Sequence, residues 1–334
     1  MLKHTFATFL MLLSGIILHA QDIQYIDESS VEENISSGGQ LYVINPEEQY
    51  IYFKPQPLSF IGNSFKDIYL AAGEAVKKEN LWGMGAIAAS TAILIVYDEE
   101  ITAAAKQFGR FINLEATNNA KNISPIEGVS FFVPTDLASS LYYIGDGITE
   151  LSVNLGFYIY GWCTKDARAL RTATQLTEGM IAVGTSVQVL KHLTGRSTAM
   201  MNNDKDLWRP FPSLQAYHSS VPAYDAFPSG HLATAMMTTT VIAMNYPEYK
   251  FVKPLCYTLM GLCGYQMLNN GVHWAGDYPL ALAMGYTMGK IAVNRGRYKV
   301  QRPMMMQNRI QPKFDLVPTV LDGYASGLTL SVVF

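Results

Sequence analysis

Apolar residues spaced three and four apart dominate this chain from about residue 64 onward, and they predict one helix after another. In "RTATQLTEGMIAVGTSVQVLKHL" (171–193), Leu176, Met180, Ile181, Val183, Val187 and Leu190 recur at helical spacing. The stretch "LWGMGAIAASTAILIVY" (81–97) is apolar and rich in alanine, and "YYIGDGITELSVNLGFYIYGW" (142–162) reads as a more mixed helix. Three further helices are expected over 231–246, 255–270 and 278–294. The pattern changes at both ends. Residues 21–63 begin acidic, with Asp22, Asp27, Glu28, Glu32, Glu33, Glu47 and Glu48, and read as an irregular arm with a short strand at "QLYVI". At the other end Leu328, Leu330, Val332 and Phe334 alternate as in a strand, for which the N-terminal arm is the expected partner. The expected fold class is therefore all-α: a helical bundle with a short irregular or β N-terminal arm and a C-terminal strand. Residues 64–295 form the helical domain, and 296–334 a basic tail that ends in the strand.

Composition narrows the function classes. Of 334 residues, 49% are hydrophobic and only 15% charged, and a net charge of −3 provides no field for nucleic acid. Cys163, Cys256 and Cys263 are odd in number and widely spaced, which fits neither a disulfide framework nor a metal cluster. Lys3 and His4 precede the apolar "FATFLMLLSGIIL", followed by "HAQD". Residues 1–20 thus read as a secretory signal cut after Ala20, or as an uncleaved anchor, and either one exports the body to the periplasm or cell envelope. The later apolar runs are about 15–18 residues long, against the roughly 17–25 that a membrane crossing needs. Basic turns at Lys165/Arg168/Arg171, Lys250/Lys253 and Arg295/Arg297/Lys299 lie at the helix ends away from the candidate chemistry, a positive-inside pattern. Counting crossings from an exported N-terminus nevertheless leaves Lys191 inside. The expectation is a periplasmic helical domain able to rest on a membrane surface, rather than an integral bundle.

Three stretches carry candidate chemistry. "LKHLTGR" brings Lys191 and Arg196 to the end of a helix. "FPSGH" opens another helix with Ser229, Gly230 and His231, where free backbone N–H groups suit an anion. "GVHWAGD" sets His273 and Asp277 four apart, on one face if helical, so that Asp277 can orient the ring and leave its other nitrogen as nucleophile or base. Each also has a plainer reading: a helix cap for Ser229-Gly230-His231, a buried hydrogen-bonded pair for His273 and Asp277, a helix-end charge for Lys191. His192 reads as structural and His218 as a surface residue. The 20 tyrosines and the Met304–Met305–Met306 run read as packing.

Taken in order, these stretches resemble the motifs of the superfamily of type-2 phosphatidic acid phosphatases, class A bacterial acid phosphatases and vanadium haloperoxidases: Lys-x6-Arg-Pro, Pro-Ser-Gly-His and Ser-Arg-x5-His-x3-Asp. The resemblance covers about residues 140–295. It departs at two places. Thr198 stands where the first motif has arginine, with an Arg209-Pro210 pair only after "STAMMNNDKDLW", and Gln266-Met267 aligns with the Ser-Arg of the third. The resemblance implies a helical bundle of that type and a phosphatase that needs no metal or other cofactor. Its substrates would be phosphate monoesters or lipid phosphates and pyrophosphates, and its partners a phosphorylated small molecule or lipid, a membrane surface, and no nucleic acid. It implies His273 as nucleophile forming a phosphohistidine, Asp277 as its support and His231 as proton donor and acceptor. Lys191, Arg196 or Arg209, the Ser229 hydroxyl and the Gly230 N–H would hold the phosphate. Two other functions fit the same motifs. One is a haloperoxidase holding vanadate in the same cradle, the only reading with a cofactor. The other is a catalytically degraded phosphate-binding or scaffold member. Each lost oxyanion donor costs about 2.7–4 kcal/mol in such sites, so the two departures bear directly on activity.

Overall fold

The arm is a β structure rather than an irregular one: β1 (Gln24–Asp27), a short helix α1 (Val31–Ser36), β2 (Gln40–Asn45) and β3 (Glu48–Tyr52). The computed structural model describes residues 23–123, 132–201, 207–301, 313–321 and 325–333. The expected signal or anchor at residues 1–20, the arginines Arg302 and Arg309 of the basic tail and the Met304–Met306 run lie outside the described residues. After the arm come α2 (Ser59–Val76), α3 (Leu81–Val96) and α4 (Asp98–Phe111), a small hairpin of β4 (Ala120–Asn122) and β5 (Phe132–Pro134), and then α5 (Leu137–Tyr143). The main helices follow as α6 (Gly147–Thr164), α7 (Ala167–Thr194), the short α8 (Leu214–Ser219), α9 (Gly230–Asn245), α10 (Val252–Asn269) and α11 (Tyr278–Gly296). The tail holds β6 (Tyr298–Gln301), β7 (Lys313–Leu321) and β8 (Ala325–Val333). The structure is thus mainly helical, as the periodicity predicts.

Side-chain caps set several of the helix starts. Asp136, Asp146, Asp166, Ser213 and Ser229 each accept an N–H from the first turn that follows them. The mixed helix expected over 142–162 is two helices, and the break has a tertiary cause. Gly145 lies so close to α9 that a Cβ there would come 2.8 Å from the His231 carbonyl oxygen. Asp146 then caps α6, its carboxylate accepting the Ile148 N–H at 2.9 Å.

Leu176, Val183, Val187, Met237, Val241, Met267, Met288 and Val293 belong to a core built around α7, α9, α10 and α11. The closest approach is between α9 and α11. A Cβ at Gly285 would lie 2.2 Å from the Ala233 carbonyl oxygen, and one at Gly289 would lie 3.0 Å from that of Met237. Two glycines one turn apart let these backbones touch, which brings the start of α9 beside the start of α11. Gly285→Ala is expected to force the helices apart at a cost of at least about 1–3 kcal/mol, read as a lower thermal midpoint. Gly184→Ala is the control: nothing lies within 4 Å of a Cβ there, so it should be neutral or stabilising.

The four-stranded sheet, in order β1-β6-β3-β2, closes one end of the bundle. β1 runs parallel to β6, and β3 is antiparallel to both β2 and β6. Gln40 accepts the Ala167 N–H at the start of α7, Tyr52 reaches Asn245 at the end of α9, and Arg171 donates to the Phe53 carbonyl. The expected pairing of the C-terminal strand with the arm is corrected. β8 pairs with β7, Lys313 opposite Val333, while β6 is the tail strand that joins the arm. A hairpin partner close in sequence costs less loop-closure entropy than the distant arm.

Helices α7 and α10 start at the sheet end; α6, α9 and α11 start at the other. The three motif stretches meet at that other end, and the basic turns lie at the sheet end beside the arm.

Candidate active site

Helix α7 delivers Lys191 and then stops at Gly195, whose φ of +56° is left-handed. A Cβ at Gly195 would fall 1.8 Å from the Arg209 carbonyl oxygen, so a larger residue has no room. The next residue, Arg196, forms backbone bridges to Trp208 on one side and Asp225 on the other, and its carbonyl accepts the Ala226 N–H at 2.9 Å. This small crossing ties the end of the first motif to the approach of the second.

Ala226 in turn fixes His273. The His273 Nδ1 lies 2.8 Å from the Ala226 carbonyl oxygen and 3.3 Å from Asp277 Oδ2. Both partners can only accept, so Nδ1 carries the proton and Nε2 keeps the lone pair. The expectation that His273 and Asp277 share a helical face is corrected. His273 lies in the turn after α10, and Asp277 ends a 3-10 turn, Ala275–Asp277, that leads into α11. They meet because the Asp277 side chain folds back to accept the Trp274 N–H at 2.8 Å. The carbonyl of Ala226, absent from the sequence expectation, is the nearer partner of the ring.

His231 stands in the first turn of α9. Its ring centroid is 6.2 Å from that of His273, edge to face, and 4.5 Å from that of Tyr142. Its Nε2 has no hydrogen-bond partner, and Asp146 Oδ2 lies 4.0 Å away. Burial, aided by the neighbouring His273 ring and the Lys191 charge, pushes the His231 pKa down from 6.5 to about 3. The ring is therefore neutral at neutral pH. In the unfolded chain it takes up a proton near its ordinary pKa, so stability is lost as pH falls through the window from 6.5 to about 3. The slope reaches about 1.4 kcal/mol per pH unit. Replacing His231 by glutamine should flatten this acid limb in denaturation midpoints taken from pH 7 to 4; an unchanged limb contradicts the assignment.

Lys191 Nζ lies over the start of α9, 3.8 Å from where a Cβ on Gly230 would be. Ser229 is buried as the cap of that helix. It donates its N–H to the Asp277 carbonyl at 3.1 Å, and its hydroxyl lies 3.9 Å from the Met267 sulfur. The structure thus brings Lys191, Ser229, Gly230, His231, His273 and Asp277 together.

Neither arginine takes the place expected of it. Arg196 is 1% exposed, and its guanidinium is shared between Asp277 Oδ1, at 2.5 Å, and Asp98 Oδ2. The rings of Trp208 and Trp274 lie 4.8 and 5.7 Å from its Cζ. It is a buried brace behind Asp277, because two carboxylates in a dry site outcompete an exchangeable ligand. Arg209 donates to the Ala223 carbonyl at 2.9 Å and lies 4.7 Å from the Tyr224 ring, within the loop that precedes the second motif. The departures from the motifs have structural occupations too. The Thr198 N–H donates to the Pro222 carbonyl, Gln266 Nε2 donates to the Glu115 carbonyl at 3.0 Å, and Met267 is fully buried.

Sequence reasoning missed four residues at this site. Asp98 opens α4, accepts the Gly276 N–H at 2.8 Å and braces Arg196. Its carboxyl titrates above the usual range because burial outweighs the arginine. Asp146 and Tyr142 flank His231 from either side of the break before α6. Asp225 accepts from Lys191 Nζ at 2.7 Å. The "YDAFPSGH" context put Asp225 beside the motif and could have flagged it, whereas nothing in the spacing links Asp98 to motifs so far along the chain.

Residues 172–301, from the first turns of α7 to the end of β6, match the model of the PAP2 superfamily. No curated protein sequence matches the chain. Two solved structures are similar to parts of the chain. The crystal structure of Aquifex aeolicus LpxE is 18% identical over 47% of this chain and 82% of that one, with a TM-score of 0.36. That of the first transmembrane PAP2 type phosphatidylglycerolphosphate phosphatase from Bacillus subtilis is 13% identical over 70% of this chain and 93% of that one, with a TM-score of 0.38. Asp98, Tyr142 and Asp146 lie outside the matched stretch.

Proposed function

We propose that this chain, a member of the PAP2 superfamily through residues 172–301, is a phosphatase that cleaves phosphate esters by way of a phosphohistidine on His273. One observation carries the reading. The Ala226 carbonyl fixes the Nδ1–H of His273 and leaves a lone pair on Nε2, in a ring that meets His231 edge to face at 6.2 Å. A phosphoryl group at this junction is held by Lys191 Nζ and by the free N–H groups at the start of α9. Nε2 of His273 attacks phosphorus in line, the P–N bond forms and the ester P–O bond breaks. The leaving oxygen needs a proton, which neutral His231 does not carry in the empty site. A phosphate dianion beside His231 restores its basicity so that it loads a proton from solvent, or a monoanionic ester brings the proton with it. Once His231 has donated, its neutral ring deprotonates the water that hydrolyses the P–N bond. The positive charge of the intermediate, on His273, is met by Ala226 and Asp277 through Nδ1–H, with Arg196 and Asp98 holding Asp277 in place.

A lipid phosphate is the substrate class that the outer surface favours. Tyr69, Trp82, Val96, Leu155, Trp162 and Leu255 expose large apolar side chains on four of the helices around the core. Among the described residues one helix, Lys78–Val96, is long and apolar enough to cross a membrane. Such a surface suits a protein that works against lipid. The test is release of inorganic phosphate by purified protein from p-nitrophenyl phosphate and from phosphatidic acid in mixed micelles. Turnover of either supports the phosphatase, and a preference for the micellar substrate supports the lipid. A folded protein inert toward both favours the second reading, a member that binds phosphate without cleaving it. The observation favouring that one is the loss of both motif arginines, at Thr198 and Met267.

A further inference from the structure

Lys191 already has an anion. Its Nζ donates to Asp225 Oδ2 at 2.7 Å, and the other oxygen of Asp225 accepts the Tyr217 hydroxyl. Gln188 Nε2 donates to that hydroxyl at 2.7 Å, and Tyr217 is stacked on His192 at 4.1 Å. The main chain fixes the arrangement, since Asp225 is bridged to Arg196 and its neighbour Ala226 holds both Arg196 and His273. Asp225 is therefore placed by the same crossing that builds the site. The other charges sharpen the effect. Arg196 is committed to two carboxylates and Arg209 to its own loop, and a second carboxylate, Asp146, lies 4.0 Å from His231 Nε2.

We infer that Asp225 is a specificity-determining residue that bars bare dianionic phosphate from Lys191 and favours a phosphate ester carrying its own cation, of the amino-alcohol type. This rests on the phosphate-binding part of the function proposed above and adds the class of ligand. A plain dianion entering the cradle must displace Asp225 from Lys191 and then sit beside the carboxylate it displaced. Neither Arg196 nor Arg209 is free to offset the repulsion. An ester with an ammonium group two or three bonds from the phosphate gives Lys191 its phosphate oxygen and gives the released Asp225 a cation in return. Charge-assisted bonds then replace the one that was broken. Discrimination arises from the carboxylate that is left unpaired with the wrong ligand.

The test is binding, so it does not depend on turnover. Calorimetric titration with inorganic phosphate and with phosphoethanolamine is run on the full chain, on Asp225→Asn and on Asp225→Asn/Lys191→Met. The full chain should prefer phosphoethanolamine by at least about tenfold, or 1.4 kcal/mol. Asp225→Asn should bind inorganic phosphate at least about tenfold more tightly and lose the preference, and the added Lys191→Met should abolish that gain. Asp225→Ser, which still offers Tyr217 a hydrogen-bonding group, serves if the asparagine protein does not fold. Equal affinity of the full chain for the two ligands, unchanged discrimination in a folded Asp225 variant, or a gain that survives loss of Lys191 overturns the inference. Discrimination in a protein that releases no phosphate leaves the inference standing and removes the phosphatase. Turnover without discrimination does the reverse.

Discussion

Replacing His273 by asparagine is expected to abolish phosphate release while leaving the fold intact. The asparagine side-chain NH2 can take over the donor that His273 Nδ1–H offers to the Ala226 carbonyl, so no buried carbonyl is orphaned. What disappears is Nε2, the only atom on that side chain able to form a bond to phosphorus. Loss of the nucleophile in an enzyme with a covalent intermediate costs on the order of 10^4- to 10^6-fold in kcat. Two measurements check this. Steady-state release should fall to background, and the acid-labile phosphoprotein trapped by quenching a turnover with labelled substrate should vanish. Unchanged turnover in the asparagine protein removes the phosphohistidine route. Retained turnover without a trapped phosphoprotein points to direct attack by water with His273 as base.

Arg196→Met should cost more stability than any other single change discussed. The guanidinium is the shared counter-ion of Asp98 and Asp277, side chains that are 5% and 0% exposed. Removing one partner of a buried ion pair leaves charge without compensation and costs about 3–5 kcal/mol. The thermal midpoint should fall by on the order of 10 °C. Lysine at this position should rescue only part of the loss, because one ammonium cannot reproduce the fork that reaches both carboxylates. Adding Asp98→Asn to Arg196→Met should recover stability, since it removes one stranded carboxylate and keeps an oxygen for the Gly276 N–H. A double variant as unstable as the single one would show that packing against Trp208 and Trp274, rather than charge, is what Arg196 provides.

These two residues also divide what was legible in the chain from what was not. His273 stood out because a four-residue interval to Asp277 and a helix-opening Pro-Ser-Gly-His upstream are local patterns, and local patterns survive in sequence. Arg196 was noticed for its charge and given the wrong neighbours. Its partner Asp98 comes from a helix start far upstream, where an acidic first turn is unremarkable. Asp225 sits three residues before the second motif and was still passed over. A carboxylate near a phosphate motif gains meaning only when its distance to Lys191 is known.

The sequence by itself determined the helical character of the chain from about residue 64, the long helices of the motif region, the strand character at both ends and the motif stretches, because periodicity and turn residues act over a few residues at a time. It also determined that Thr198 and Met267 stand where the family has arginine. The tertiary structure alone decided which charges face one another. It placed Arg196 behind Asp277, gave His273 the Ala226 carbonyl, broke the 142–162 helix at Gly145 against His231, and set Asp225 on Lys191. The physical reason is that electrostatics depends on distance and burial, and both are properties of the folded chain that no run of neighbouring residues encodes.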